Sequence, residues 1–161
     1  VTAVFQDHNT FAHLDAWQNV ALGLSPVLSL DSGQRAAVDR ALDLVGLASM
    51  AKRLPGDMSG GERQRIAIAR VLVRKRPILL LDEAFAALGP GLRREMLRLV
   101  KALHRSEGLT TLMVTHQPED ARHMADSVVF VDAGVARAPV DTAKFFASHD
   151  AQVKTYLGAW T

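Results

Sequence analysis

The chain has 161 residues, 48% hydrophobic and 22% charged, an ordinary globular balance with enough length for one domain with a core. Its net charge of +2, from 19 basic and 17 acidic residues, is too small to imply a nucleic acid or an anionic membrane as partner. Without cysteine there is no disulfide framework or thiolate metal site; no apolar run approaches the ~18 residues of a membrane span, and no signal-peptide pattern opens the chain.

VTAVF, at the start, reads as a strand of β-branched and aromatic residues. It begins in mid-strand without a methionine, so the sequence is expected to lack an N-terminal part or to be a trimmed chain. QDHNTFAHLD is polar and turn-like. Asp15 is placed to cap a short helix, AWQNVALGL, which Pro26 stops. In SLDSGQRAAVDRALDLVGL, the residues Ala37, Val38, Ala41, Leu42 and Val45 recur at helical spacing, and Gly46 suits the helix end. ASMAKRLPGD connects to MSGGERQRIAIARVLVRKRP, where Ser59 is a good N-cap and Gly60 and Gly61 allow close approach of a backbone or ligand. This helix is expected to run to about Lys75, with Pro77 ending it. ILLL is a continuous apolar run, the pattern of a strand buried on both faces. AFAALGPG is a turn, and LRREMLRLVKALHRSEG an amphipathic helix with Leu92, Met96, Leu99, Val100 and Leu103 on one side. LTTLMVTH reads as another buried strand. QPEDARHMAD is a short helix with Pro118 in its first turn, SVVFVDAGVARA a hairpin turning near residues 132–134, and DTAKFFAS and AQVKTYLG are short helices.

Apolar strands separated by helices predict an α/β fold, a mostly parallel sheet flanked by helices, with residues 11–75 as a helical insertion. Three strands end in polar groups: Gln6, Asp82 with Glu83, and His116. Ligands of open α/β sheets sit outside the carboxyl ends of the strands, so parallel neighbours would bring an amide, two carboxylates and an imidazole to one crevice. That set suits a metal–phosphate site, with a carboxylate for Mg²⁺, a second to position or deprotonate water, and a neutral histidine for a phosphate oxygen. Each residue also has a plain alternative. Asp82-Glu83 suits a solvated strand end or a helix cap, His116 an exposed loop, Ser59 an ordinary capped turn. Arg63, Arg70 and Arg74, on roughly one face, suit salt bridges to a neighbouring helix.

In order and spacing, these parts together resemble the ATPase domain of ATP-binding cassette (ABC) transporters, over essentially the whole chain. VFQDHNTFAHLDAWQNV is similar to the Q-loop, MSGGERQRIAIARVL to the signature motif, ILLLDE to Walker B with its catalytic glutamate, AFAALGP to the D-loop and MVTH to the switch-histidine loop. Within the family, the stretch HNTFAHLDAWQNVALGLSPVLSLDSGQRAAV, the helix GPGLRREMLRLV and the early C-terminus look closest to the ATP-binding subunits of bacterial thiamine importers.

The resemblance implies a P-loop NTPase-like fold, divided as Q-loop strand and loop (1–10), helical subdomain with signature motif (11–75), and Walker B, D-loop and switch-histidine core (76–161). It implies ATP and Mg²⁺ as ligands and a head-to-tail homodimer at the cytoplasmic face of the bacterial inner membrane. The partners would be permease subunits and, indirectly, a periplasmic solute-binding protein, with no nucleic acid. Ser59, Gly60, Gly61 and Glu62 would meet ATP held by the other copy, where a helix N-terminus favours an anion. Asp82 and Gln6 would attend Mg²⁺, Glu83 would polarise water, His116 would stabilise the transferring phosphate, and Leu88 and Gly89 would lie at the D-loop interface. The sequence departs from the family pattern in several places. No G-x-x-x-x-G-K-[ST] occurs, so the P-loop is missing and the 161 residues alone are expected not to turn over ATP. Glu62 stands where glutamine is usual, Ala84 for proline and Gly89 for the D-loop aspartate. The competing readings are an ABC ATPase for iron, sulfate or polyamines, a soluble ABC ATPase acting on DNA or ribosomes, and a non-catalytic remnant.

Overall fold

The computed structural model describes residues 1–5 and 10–158, so that Gln6 lies outside the described residues. The chain forms two compact units, Val1–Val114 and Thr115–Thr161.

The first unit opens with β1 (Thr2–Phe5), followed by α1 (Ala16–Ala21), α2 (Ser32–Leu44) and α3 (Gly60–Leu72). Then come β2 (Ile78–Asp82), α4 (Pro90–Ser106) and β3 (Thr110–Val114). The strands pair in parallel in the order β1-β2-β3, with Phe5 opposite Asp82 and Asp82 opposite Val114. The expected parallel neighbours are therefore in register at their carboxyl ends.

Local chemistry sets the helix starts. Each of α1, α2 and α3 begins with a capping box, Asp15–Gln18, Asp31–Gln34 and Ser59–Glu62, in which side chain and backbone bond reciprocally across one turn. α2 ends in a Schellman motif. Gly46 turns left-handed at φ +71°, Leu47 N–H donates to the Leu42 carbonyl at 2.8 Å and Gly46 N–H to that of Asp43 at 2.9 Å. α1 stops at Ala21, and Gly23 then approaches α3 so closely that a Cβ there would stand 2.5 Å from the Arg70 carbonyl oxygen. α3 ends at Leu72, short of the expected Lys75. Lys75 adopts φ +47°, and the residues leading into Pro77 are turned out of the helix.

The core of this unit lies between the sheet and the helices, with Val20, Val38, Ile66, Leu81, Met96 and Val100 fully buried. One sheet face looks into it: Leu79 and Leu81 are 1% and 0% exposed. The other face does not. Ile78, Leu112 and Val114 are 38%, 58% and 49% exposed, which corrects the expectation that β2 and β3 are buried on both sides. Their apolar runs are continuous, yet only one face meets a helix layer among the described residues.

The second unit holds α5 (Pro118–Met124), then β4 (Ser127–Val128), β5 (Val131–Asp132), β6 (Val135–Ala136) and β7 (Val140–Asp141), and ends with α6 (Thr142–Phe146) and α7 (Ala151–Gly158). β5 and β6 form the predicted hairpin, turning at Ala133 (φ +47°) and Gly134 (φ +79°). β4 pairs antiparallel with β7. Phe145 and Val153 are buried, and the Phe130 ring packs, tilted, with its centroid 5.9 Å from that of Phe145 and 5.4 Å from that of Tyr156.

Candidate functional site

At the start of α3, Ser59 is exposed and Gly61 buried. Ser59 is the N-cap, its Oγ accepting from Glu62 N–H at 3.3 Å, while Ser59 N–H donates to Glu62 Oε2 at 2.6 Å. The Ser59 N–H bond holds the Glu62 carboxyl below its usual pKa, its hydroxyl bond adds to this, and Arg53 and Arg65 contribute less. The Glu62 charge therefore does not point freely outward. It is folded onto the helix start, where backbone N–H groups favour an anion. Gly61 is buried, and a Cβ on it would lie 2.5 Å from Leu92 Cδ1. A side chain there would have to displace that of Leu92, so glycine lets α3 and α4 pack closely at this point.

The arginines after Ser59 are mostly structural. Arg63 donates to the carbonyls of Met58 and Pro55. Arg65 donates to the Val45 carbonyl at 2.9 Å and pairs with Glu95. Arg70 donates to the carbonyl and side-chain oxygens of Asn19, each at 2.8 Å, and Arg74 to the Gly23 carbonyl at 3.2 Å. Most of these bonds reach backbone carbonyls of the helical segment, not carboxylates. Burial, and then the Arg74 charge, lowers the Arg70 pKa.

At the carboxyl end of β2, Asp82 is exposed and Glu83 half-buried. Glu83 sits at φ +46°, a left-handed conformation uncommon for a side-chain-bearing residue. Its N–H donates to the Val114 carbonyl at 3.0 Å, which extends the β2–β3 pairing past Asp82. The chain then dives: Ala84 and Phe85 are buried at 4% and 2% exposure. Leu88 is half-buried, and Gly89 caps α4 at the N-cap position without a side-chain bond.

His116 belongs to the second unit and is exposed. Its carbonyl accepts from Tyr156 Oη at 3.1 Å. Thr115 Oγ1 donates to the buried Asp120 at 2.7 Å and accepts from Gln117 N–H at 3.0 Å, so the backbone on both sides of His116 is tied down. Burial, with the Asp120 charge nearby, raises the Tyr156 pKa.

Two polar residues that sequence reasoning passed over are fully buried, Asn19 and Gln64. Gln64 carries a legible signal, since it stands among Gly61, Ala67, Ile68 and Val71 on the buried stripe of α3, where an amide needs a partner. Asn19 carries none, for α1 is too short to show a periodicity. A cavity of about 610 Å³ opens elsewhere, lined by Ala37, Ala41, Val71 and Leu79 and rimmed by Arg40 and Glu107. None of the predicted site residues lines it.

Residues 1–86 match the family model described as ABC transporter. The chain is 54% identical over 159 residues to the thiamine import ATP-binding protein ThiQ of Rhizobium meliloti (strain 1021), covering 98% of this chain and 67% of that protein. It is 53% identical to the protein so named from Mesorhizobium japonicum, covering 99% of this chain and 63% of that one. It is 60% identical over 134 residues to that of Brucella abortus biovar 1, covering 83% and 56%. A solved ABC transporter chain in an inward-facing conformation superposes with a TM-score of 0.84 at 26% identity, over 98% of this chain and 62% of that one. The chain thus spans about two thirds or less of the length of these proteins. With more than half of its residues matched by the family model, and relatives of this identity, the chain belongs to the ABC transporter family.

Proposed function

We propose that this chain is part of the ATP-hydrolysing subunit of an ABC importer, coupling ATP binding and hydrolysis to uptake of a small solute. The observation that carries the reading is the parallel register of β1, β2 and β3. It ends β2 at Asp82-Glu83, at the strand ends where nucleotide sites of open α/β sheets lie. Thiamine as the solute rests on the names of the relatives.

In this reading two copies work head to tail. Ser59 Oγ and the first-turn amides of Gly60 and Gly61, with Glu62 beside them, meet the γ-phosphate of ATP held by the other copy. Glu83 orients the attacking water and takes up its proton. His116 hydrogen-bonds the transferring phosphoryl group, whose charge must be stabilised. Asp82, an exposed carboxylate at the end of β2, would hold Mg²⁺, which takes one or two carboxylates with phosphates and water. When bound, that ion neutralises phosphate charge. Gln6 links this site to the permease. Leu88 and Gly89 lie at the interface between copies. No described helix is long and apolar enough to cross a membrane; the subunit docks on permease subunits at the cytoplasmic face of the inner membrane. A periplasmic binding protein delivers the solute from the other side.

The test is steady-state ATP turnover of the complete subunit in its transporter. Glu83→Gln should lower kcat by about 10²- to 10⁴-fold, whereas the 161-residue chain alone, without a P-loop, should show no turnover. Thiamine, delivered by the binding protein, should stimulate turnover where iron, sulfate and polyamines do not. Full activity of Glu83→Gln would refute the catalytic reading, and stimulation by another solute would refute thiamine.

A further inference from the structure

Two contacts join the start of α3 to the loop after β2. Gly61 presses against Leu92 near the start of α4. Gln64, 0% exposed, donates Nε2 to the carbonyl of Ala84 at 2.9 Å; the carbonyl acceptor settles which end of the amide is nitrogen. Ala84 directly follows Glu83, which is held in a left-handed conformation. Such strain persists only where the surroundings hold it; the Glu83 N–H bond to Val114 holds the backbone at that residue, and the Gln64 bond holds the carbonyl of the next one, Ala84. Meanwhile Gln64 Oε1 is buried without a hydrogen-bond partner. An amide left half-satisfied in a core costs stability, and a leucine of similar volume would fill the same space. Packing alone therefore does not call for glutamine here.

We infer, resting on the ATPase reading above, that Gln64 is a positioning residue. Its amide fixes Ala84, and through it the Glu83 backbone, relative to the helix start at Ser59. The half-site that receives the other copy's phosphate and the half-site that activates water then move as one body. Engagement of Ser59 in one nucleotide site thereby sets the position of Glu83 for the other.

The experiment compares Gln64→Leu with wild type and Glu83→Gln in the complete subunit within its transporter, reading kcat, KM for ATP and thermal midpoint. The expected result is a kcat lowered about 10- to 100-fold, as misplacement at a distance produces, with KM within about threefold and the midpoint within about 3 °C. A kcat within about twofold of wild type, or a parallel loss of kcat, KM and midpoint, overturns the inference. If Glu83→Gln abolishes turnover while Gln64→Leu retains it, only the positioning role falls; if Glu83→Gln retains turnover, the catalytic reading falls and this inference with it. Should Gln64→Leu not fold, Gln64→Met, equally long and without the amide, is read by the same criteria.

Discussion

Replacing Asn19 by alanine tests how the helical segment between β1 and β2 is held. Asn19 has no exposed surface. Its Nδ2 donates to the carbonyls of Leu14 at 2.8 Å, Phe11 at 3.0 Å and Asp15 at 3.1 Å. Its Oδ1 accepts from Phe11 N–H and from Arg70 Nη2, both at 2.8 Å. The two hydrogens on Nδ2 serve three acceptors, so one bond there is shared. Counting about 1 kcal/mol for each neutral bond and about 2 kcal/mol for the charged Arg70 bond gives a gross loss near 5 kcal/mol. Phe11 is 47% exposed, so water can reach some of the freed groups, and the net loss should be about 3 kcal/mol. With a urea slope of about 2 kcal/mol/M, the unfolding midpoint should fall by about 1.5 M. Urea unfolding of the 161-residue chain by far-UV circular dichroism measures that shift, and amide hydrogen exchange at Phe11 shows whether the lost protection is local. Asn19→Asp, which keeps the acceptors and loses the donors, should fall in between. A midpoint shift below about 0.5 M with unchanged Phe11 protection would refute the reasoning.

Gly89→Asp should stabilise the chain by about 0.3–1 kcal/mol in urea unfolding, because α4 lacks a side-chain cap and a Cβ at Gly89 meets nothing within 4 Å; a loss of stability would show that the loop before α4 cannot accept the carboxylate. Glu62 has a depressed folded-state pKa, so its stabilisation is complete above the ordinary value of about 4.3. That stabilisation disappears as pH falls through the lower folded value. Thermal midpoints measured from pH 7 to pH 3 should therefore converge for wild type and Glu62→Gln at the acid end, and parallel curves would refute the assignment.

Much of this architecture was legible because it is local. Apolar runs of strand and helix type, caps at Asp15 and Ser59, and glycines at Gly46 and Gly134 each act within a few residues, and the structure has the corresponding elements in the expected order. The apolar runs and intervening helices pointed to a parallel sheet, and the structure supplied the order β1-β2-β3. The ordered motifs carried the family as well. Gln6, an expected member of the site, falls outside the described residues.

Sequence by itself determined the caps at Asp15 and Ser59, the parallel α/β class and the family, because caps, turns and motif spacing are properties of neighbouring residues. Only the tertiary structure decided what lies opposite each side chain. Among the described residues it put Leu112 and Val114 on an exposed sheet face, made Arg70 and Arg74, suited by spacing to salt bridges with a neighbouring helix, into clamps on the carbonyls of Asn19 and Gly23, and buried Gln64 against Ala84. Burial and long-range hydrogen bonds join residues far apart in the chain, and a pattern read one turn at a time does not contain them.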